Sequence, residues 1–200
     1  MNLYAFPIST RVLAIVALKH HLGLDCELHP IDLGRGDQLT REYLALNPNR
    51  KMPTLTDDEF VLWESNAILE YLAALHPEKA LGARSARETG EMSRWMYMNA
   101  AHLSPNVARI FAHTIRLPEA QRIARIVDEA RVEVDRCLGA LEGRLAGREY
   151  LLDRFSLAEI ATAPTLSAAP MLGIDLARFP SVDGWVKRIG ARPAWQKLQR

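Results

Sequence analysis

Apolar residues crowd the stretch from Thr10 to Leu22, where Val12, Leu13, Ile15, Val16, Leu18 and Leu22 cover much of a helical circumference. Such a pattern predicts a buried helix, and Gly23 directly after it is a natural terminator. Before it, Asn2 to Phe6 reads as a short strand closed by Pro7. After it, Cys26 to Leu33 alternates, with Cys26, Leu28 and Ile31 set against Glu27 and His29, until Gly34-Arg35-Gly36. A parallel pairing of these two strands makes a right-handed β-α-β unit. Residues 40–46 predict a short helix. Pro53 to Thr56 and Phe60 to Leu62 predict an antiparallel hairpin around Asp57-Asp58. Ser65 to Leu75 then sets Ile68, Leu69, Leu72 and Leu75 on one helical face.

Beyond His76 the period changes. Pro77 and Gly82 interrupt the pattern, and almost no strand signal follows. Helical periodicity runs from about Ala86 to Ile115, with Pro105 expected to kink it. Pro118 is expected to open a long amphipathic helix that reaches about Leu145 before Gly147. Ser156 and Glu159 have the spacing of a capping box, and Phe155 and Ile160 that of a hydrophobic staple. The Ala-, Leu- and Ile-rich helix that follows is expected to be the buried centre of a bundle. Short helices are expected over 180–189 and 193–199. The chain therefore divides into a first domain over 1–77, a linker over 78–85 and a second domain over 86–200. The order β-α-β-(α)-β-β-α is the thioredoxin-like arrangement. The fold class is an α/β thioredoxin-like N-terminal domain followed by an all-α helical bundle.

Composition narrows the function classes. The formal net charge is +1, so no global field favours nucleic acid or a membrane surface. The two cysteines, Cys26 and Cys137, form no CxxC pair, which predicts neither a disulfide framework nor an oxidising compartment. A cytoplasmic location is expected: no basic segment leads into an apolar leader, and no apolar run approaches the length of a membrane span. The histidines show no HxxxH or HExxH spacing, so no metal site is expected.

Chemistry concentrates in Asn47-Pro48-Asn49-Arg50-Lys51-Met52-Pro53 and in Trp63-Glu64-Ser65. The first is a loop running into a proline that leads a strand. The second is an acid and a hydroxyl at a helix mouth. Together they suggest a site that grips an extended peptide by its backbone and holds a charged end at a helix terminus. With the capping box and the order of elements, these motifs resemble the cytosolic glutathione transferases, in particular their serine-type, theta- and phi-like members. The resemblance covers essentially the whole chain. It implies a cis bond at Met52-Pro53 that frees the backbone of Met52 for the cysteinyl part of glutathione. It implies that Glu64 and Ser65 hold the γ-glutamyl end, with roughly 0.3–2 kcal/mol from the helix dipole for a carboxylate at Ser65. Arg50 and Lys51 are then candidates for the other carboxylate. At Gln38, where serine-type relatives often carry histidine, a hydrogen-bond donor without charge is expected to meet the glycyl end. Glu159 stands where that family more usually has Asp.

The chemistry so implied needs a thiolate. A hydrogen bond to a charged acceptor is worth roughly 1.5–3 kcal/mol, enough to lower a thiol pKa of about 8.5 by about 1–2 units. The donor belongs where the first strand meets the first helix. Ser9 is the first candidate and Thr10 the second; Tyr4 lies too early, inside the strand. No cysteine lies at this turn, which argues against thiol-disulfide exchange of the cysteine-type classes. The basic residue there, Arg11, comes earlier than the family pattern has it.

The function so implied is attack of the glutathione thiolate on a small hydrophobic electrophile in a cleft between the domains. Tyr97, Met98, His102 and Arg109 are candidates for the electrophile's walls. The alternatives are a non-catalytic binding module of the same fold and a glutathione-dependent isomerase. Glutathione is expected as co-substrate without a further cofactor. A homodimer is expected, with neither nucleic acid nor membrane as partner.

Overall fold

The apolar helix predicted over 10–22 is α1 (Thr10–Leu22), and it ends where Gly23 enters the left-handed region at φ 72°. The computed structural model describes residues 1–7 and 9–199. They form two units, Met1–Gly82 together with Arg192–Arg200, and Ala83–Ala191.

In the first unit β1 (Asn2–Ala5) precedes α1 and β2 (Glu27–Pro30) follows it; the two strands are parallel, with Tyr4 opposite His29. Then come α2 (Arg41–Leu46), β3 (Thr54–Asp57), β4 (Phe60–Trp63) and α3 (Ser65–Ala74). The sheet order is β2-β1-β3-β4, and β3 runs antiparallel to both neighbours. Leu3, Ala5 and Leu55 on the sheet form a core with Val12, Ile15 and Leu18 of α1 and Ile68, Leu69 and Leu72 of α3, all buried. The alternation expected of the second strand holds only in part. Cys26 and Ile31 are buried, but Leu28 is 40% exposed. β2 lies at the sheet edge, where a side chain has a strand neighbour on one side only.

The second unit contains no strand among its described residues. The helical stretch expected from 86 to 115 is α4 (Ala86–Met98), a π turn (Asn99–Leu103), α5 (Ser104–Phe111) and a second π turn (Ala112–Arg116). Pro105 lacks the amide that would bond the carbonyl of Ala101, and the wider turn just before it accommodates the ring. Buried Asn99 ties this turn to the next layer: its Nδ2 donates to the carbonyl of Ala161 at 2.9 Å, and its Oδ1 accepts from the Thr165 hydroxyl at 2.9 Å. The long helix α6 (Ala124–Leu145) starts later than Pro118, which has an extended ψ of 147° and leads only into a single 3-10 turn.

α7 (Leu157–Leu166) is buried at every position. Its capping box is closed on both sides, with Glu159 accepting from the Ser156 amide at 2.8 Å and from the Leu151 amide at 2.6 Å. α8 (Pro180–Gly190) begins at the carboxylate of Glu142, which accepts from the Ser181 and Val182 amides. The last helix, α9 (Pro193–Gln196), returns to the first unit and packs on α1, burying Trp195.

Candidate functional site

The register of the sheet gathers four segments at one end. Tyr4 of β1 lies opposite Thr54 of β3, and Thr54 opposite Trp63 of β4. Residues after β1, before β3 and after β4 therefore leave from the same end, as does the chain after Pro30, opposite Ala5. These are the turn with Ser9 and Thr10, the Met52-Pro53 loop, the Glu64-Ser65 step and the segment carrying Gln38.

Ser9 stands at the N-cap of α1 with φ −69° and ψ 130°, yet its side chain makes no cap hydrogen bond. Its backbone is fixed at both ends: the amide donates to the carbonyl of Phe6 at 3.0 Å and the carbonyl accepts from the Leu13 amide at 2.9 Å. The hydroxyl is thus held beside the positive end of the helix dipole without serving the helix. Thr10, half-buried, is the first helical residue.

The Met52–Pro53 peptide bond is cis. Neither backbone group of Met52 has a partner among the described residues. The residues beside it are tightly held. The carbonyl of Lys51 accepts from the Tyr43 hydroxyl at 2.6 Å and from Asn47 Nδ2 at 2.8 Å. Thr54 Oγ1 lies 3.0 Å from both of those donor atoms. Asn47 Oδ1 accepts from the Asn49 amide at 2.9 Å, and Arg50 takes a left-handed φ of 59°. Tyr43, Asn47 and Thr54 are buried, whereas the side chains of Arg50 and Lys51 are exposed. Burial pushes the Tyr43 phenol up, so it stays a neutral donor.

Glu64 has φ 74° and ψ 116°, a backbone region that L-residues rarely occupy and that costs about 1–3 kcal/mol. It precedes α3 without capping it, and its exposed carboxylate is left to solvent. Ser65 opens the helix and is half-buried. Gln38 lies in a 3-10 turn, and its Oε1 is buried without a hydrogen-bond partner among the described residues.

In the second unit, Tyr97 is 65% exposed, His102 is exposed on the first π turn and Met98 is half-buried at the end of α4. Arg109 is engaged locally, with Asn106 Oδ1 at 3.2 Å and Glu129 at 3.5 Å. The Tyr43–Asn47–Thr54 cluster was not singled out by sequence reasoning, which named Glu64 but not the strain of its backbone. The only trace of the cluster is Tyr43 and Asn47 standing four apart around the end of a short helix.

The chain is similar to known proteins along most of its length. The family model described as Glutathione S-transferase, N-terminal domain, matches residues 1–74, and its C-terminal counterpart matches residues 103–193. Glutathione S-transferase 3 of Zea mays is 32% identical, over 98% of this chain and 92% of its own. The chain belongs to the glutathione S-transferase family. Another relative, the disulfide-bond oxidoreductase YfcG of Escherichia coli (strain K12), is 33% identical over 86% of this chain and 81% of its own. A solved glutathione transferase from Burkholderia graminis, with two glutathione molecules bound per subunit, matches with a TM-score of 0.87 at 31% identity. It covers 98% of this chain and 86% of its own.

Within that family this member has no protein thiol suited to the chemistry. Burial pushes the thiols of Cys26 and Cys137 up, and both are buried. Among the described residues no group of three or more His, Cys, Asp or Glu side chains is placed to hold a metal ion, and no helix is long and apolar enough to cross a membrane.

Proposed function

We propose that this chain binds glutathione at the end of the sheet where Ser9, Met52 and Ser65 meet, and transfers it to an electrophile through a thiolate stabilised by Ser9. The observation that carries this reading is the Ser9 hydroxyl: it sits at a helix N-cap, yet makes no cap bond. In the bound state Ser9 donates to the sulfur, with Thr10 as the second candidate. The backbone of Met52, beside Pro53, pairs with the cysteinyl residue. Glu64 accepts the ammonium and Ser65 donates to the carboxylate of the γ-glutamyl end. Gln38, Arg50 and Lys51 serve the glycyl carboxylate. The electrophile is small and hydrophobic and meets Tyr97, Met98 or His102; Arg109, already paired with Glu129, is the weakest of these candidates. The active form is a cytoplasmic homodimer, which sedimentation at micromolar concentration tests.

The decisive variant is Ser9→Ala. The bound thiol should titrate about 1–2 units higher, read from thiolate absorbance. Turnover near pH 6.5 should fall roughly 10–100-fold while glutathione affinity changes little. An unchanged thiol pKa and rate would remove Ser9 from the mechanism.

A second reading draws on the relative named for disulfide-bond oxidoreduction and on the relative with two glutathiones in one subunit. One glutathione thiolate attacks a disulfide RSSR, giving a mixed disulfide and RS⁻. A second attacks the mixed disulfide, giving oxidised glutathione and another RS⁻. This chemistry needs no protein cysteine. Oxidised glutathione released in proportion to a disulfide substrate, without conjugate from halogenated or unsaturated electrophiles, would favour it.

A further inference from the structure

The peptide unit joining Lys51 to Met52 is planar, so its carbonyl and its N–H point in opposite directions. Whatever fixes the carbonyl of Lys51 therefore fixes the direction of the Met52 N–H. Two donors hold that carbonyl, the Tyr43 hydroxyl at 2.6 Å and Asn47 Nδ2 at 2.8 Å. Proton counting orders the rest of the cluster. The single proton of Tyr43 goes to Lys51, so its oxygen accepts from the Thr54 hydroxyl 3.0 Å away. The Thr54 oxygen in turn accepts the second proton of Asn47 Nδ2 at 3.0 Å. Each proton is used once, Asn47 Oδ1 is taken by the Asn49 amide, and the three side chains are buried. A flip of the Lys51–Met52 peptide would leave Tyr43 and Asn47 with unsatisfied buried protons, each a costly state.

We propose that Tyr43, Asn47 and Thr54 are positioning residues for ligand recognition: this ordered ring keeps the Met52 N–H turned away from the protein and ready to pair with an extended peptide. The inference rests on the glutathione-binding reading above. Its physical content is pre-organisation, because a recognition edge already set need not be ordered when the ligand arrives. None of the three touches the reacting sulfur, so they act on affinity and leave the chemical step alone.

The test uses the whole chain and glutathione itself. Thr54→Val keeps the shape of the side chain and removes its hydroxyl, whereas Thr54→Ser keeps the hydroxyl. Thr54→Val and Tyr43→Phe should each raise the glutathione dissociation constant about tenfold in calorimetric titration, with the rate at saturating glutathione within twofold of the parent. Thr54→Ser should bind like the parent. A purely structural role would lower the melting temperature and leave the affinity of the folded fraction unchanged. Should Thr54→Val fail to fold, the Tyr43→Phe and Thr54→Ser pair carries the comparison. Parent-like affinity in Tyr43→Phe, or loss of affinity in Thr54→Ser equal to that in Thr54→Val, overturns the inference. Failure of the parent itself to bind glutathione overturns the binding reading instead, so the two failures are distinguishable.

Discussion

At the scale of single residues, Glu64 and Ser9 depart from local preference, the first in its backbone and the second in leaving its helix uncapped. A backbone at φ 74° and ψ 116° suits glycine far better than glutamate. Glu64→Gly should therefore match or exceed the parent in stability, gaining up to about 1–3 kcal/mol of relieved strain less the backbone entropy of glycine. It should also weaken glutathione binding, because the carboxylate assigned to the ammonium is lost. Urea denaturation and calorimetric titration on the same sample check both halves, and Glu64→Gln separates charge from conformation. A variant less stable than the parent and equally tight would show that the conformation serves the fold alone. The place of Glu64 and Ser65 at a helix mouth is legible in the sequence, but the backbone angle is not, because a positive φ on a non-glycine residue leaves no mark there.

At the scale of elements, capping signals proved the most readable. Ser156 and Glu159 sit three apart in the chain and close the box that their spacing predicts. Glu159 also reaches outside its own helix to the Leu151 amide, and it is completely buried. Glu159→Ala leaves two buried amides without acceptors and should destabilise the protein by about 2–4 kcal/mol, measured by urea unfolding. Burial raises the carboxyl of Glu159 from its ordinary value despite these bonds. Helices begin at Pro180 and Pro193 as expected, but the start expected at Pro118 fared less well. Pro118 satisfies φ for a helix but adopts an extended ψ, and α6 waits until Ala124. The interruption near Pro105 was legible, but its form, a π turn braced by Asn99 to α7, depends on contacts more than sixty positions away. Likewise the edge position of β2, which exposes Leu28, is decided by strand order rather than by the alternation of its own residues.

At the scale of the whole molecule, the end of the chain belongs to the first unit, where α9 packs on α1. Nothing in the spacing of Pro193 to Trp195 announces that destination. Trp195 is buried, and Trp195→Ala should cost about 3–5 kcal/mol, with the loss read in the stability of the sheet-containing unit. The same packing makes that unit acid-sensitive. The imidazole of His21 is held below its ordinary value by burial, and further by the charges of Arg192 and Lys79. The native state then binds fewer protons than the unfolded chain as pH falls through about 6.5, so stability rises with pH across that range and is lost toward acid. His21→Gln should reduce this slope between about pH 5 and 7, seen as urea midpoints that drift less with pH, the remainder being due in part to His20, held low in the same way. An unchanged slope would assign the acid loss to other groups.

The meeting of four segments at one end of the sheet divides the first unit into two hemispheres of unequal tolerance. The opposite end holds, among other described residues, Met1, the Gly23 corner and the Asp58-Glu59 hairpin turn, the last two exposed. A reporter dye, an affinity handle or a short inserted peptide at that hairpin should leave glutathione chemistry untouched. The same cargo spliced in near Asn49 should silence it.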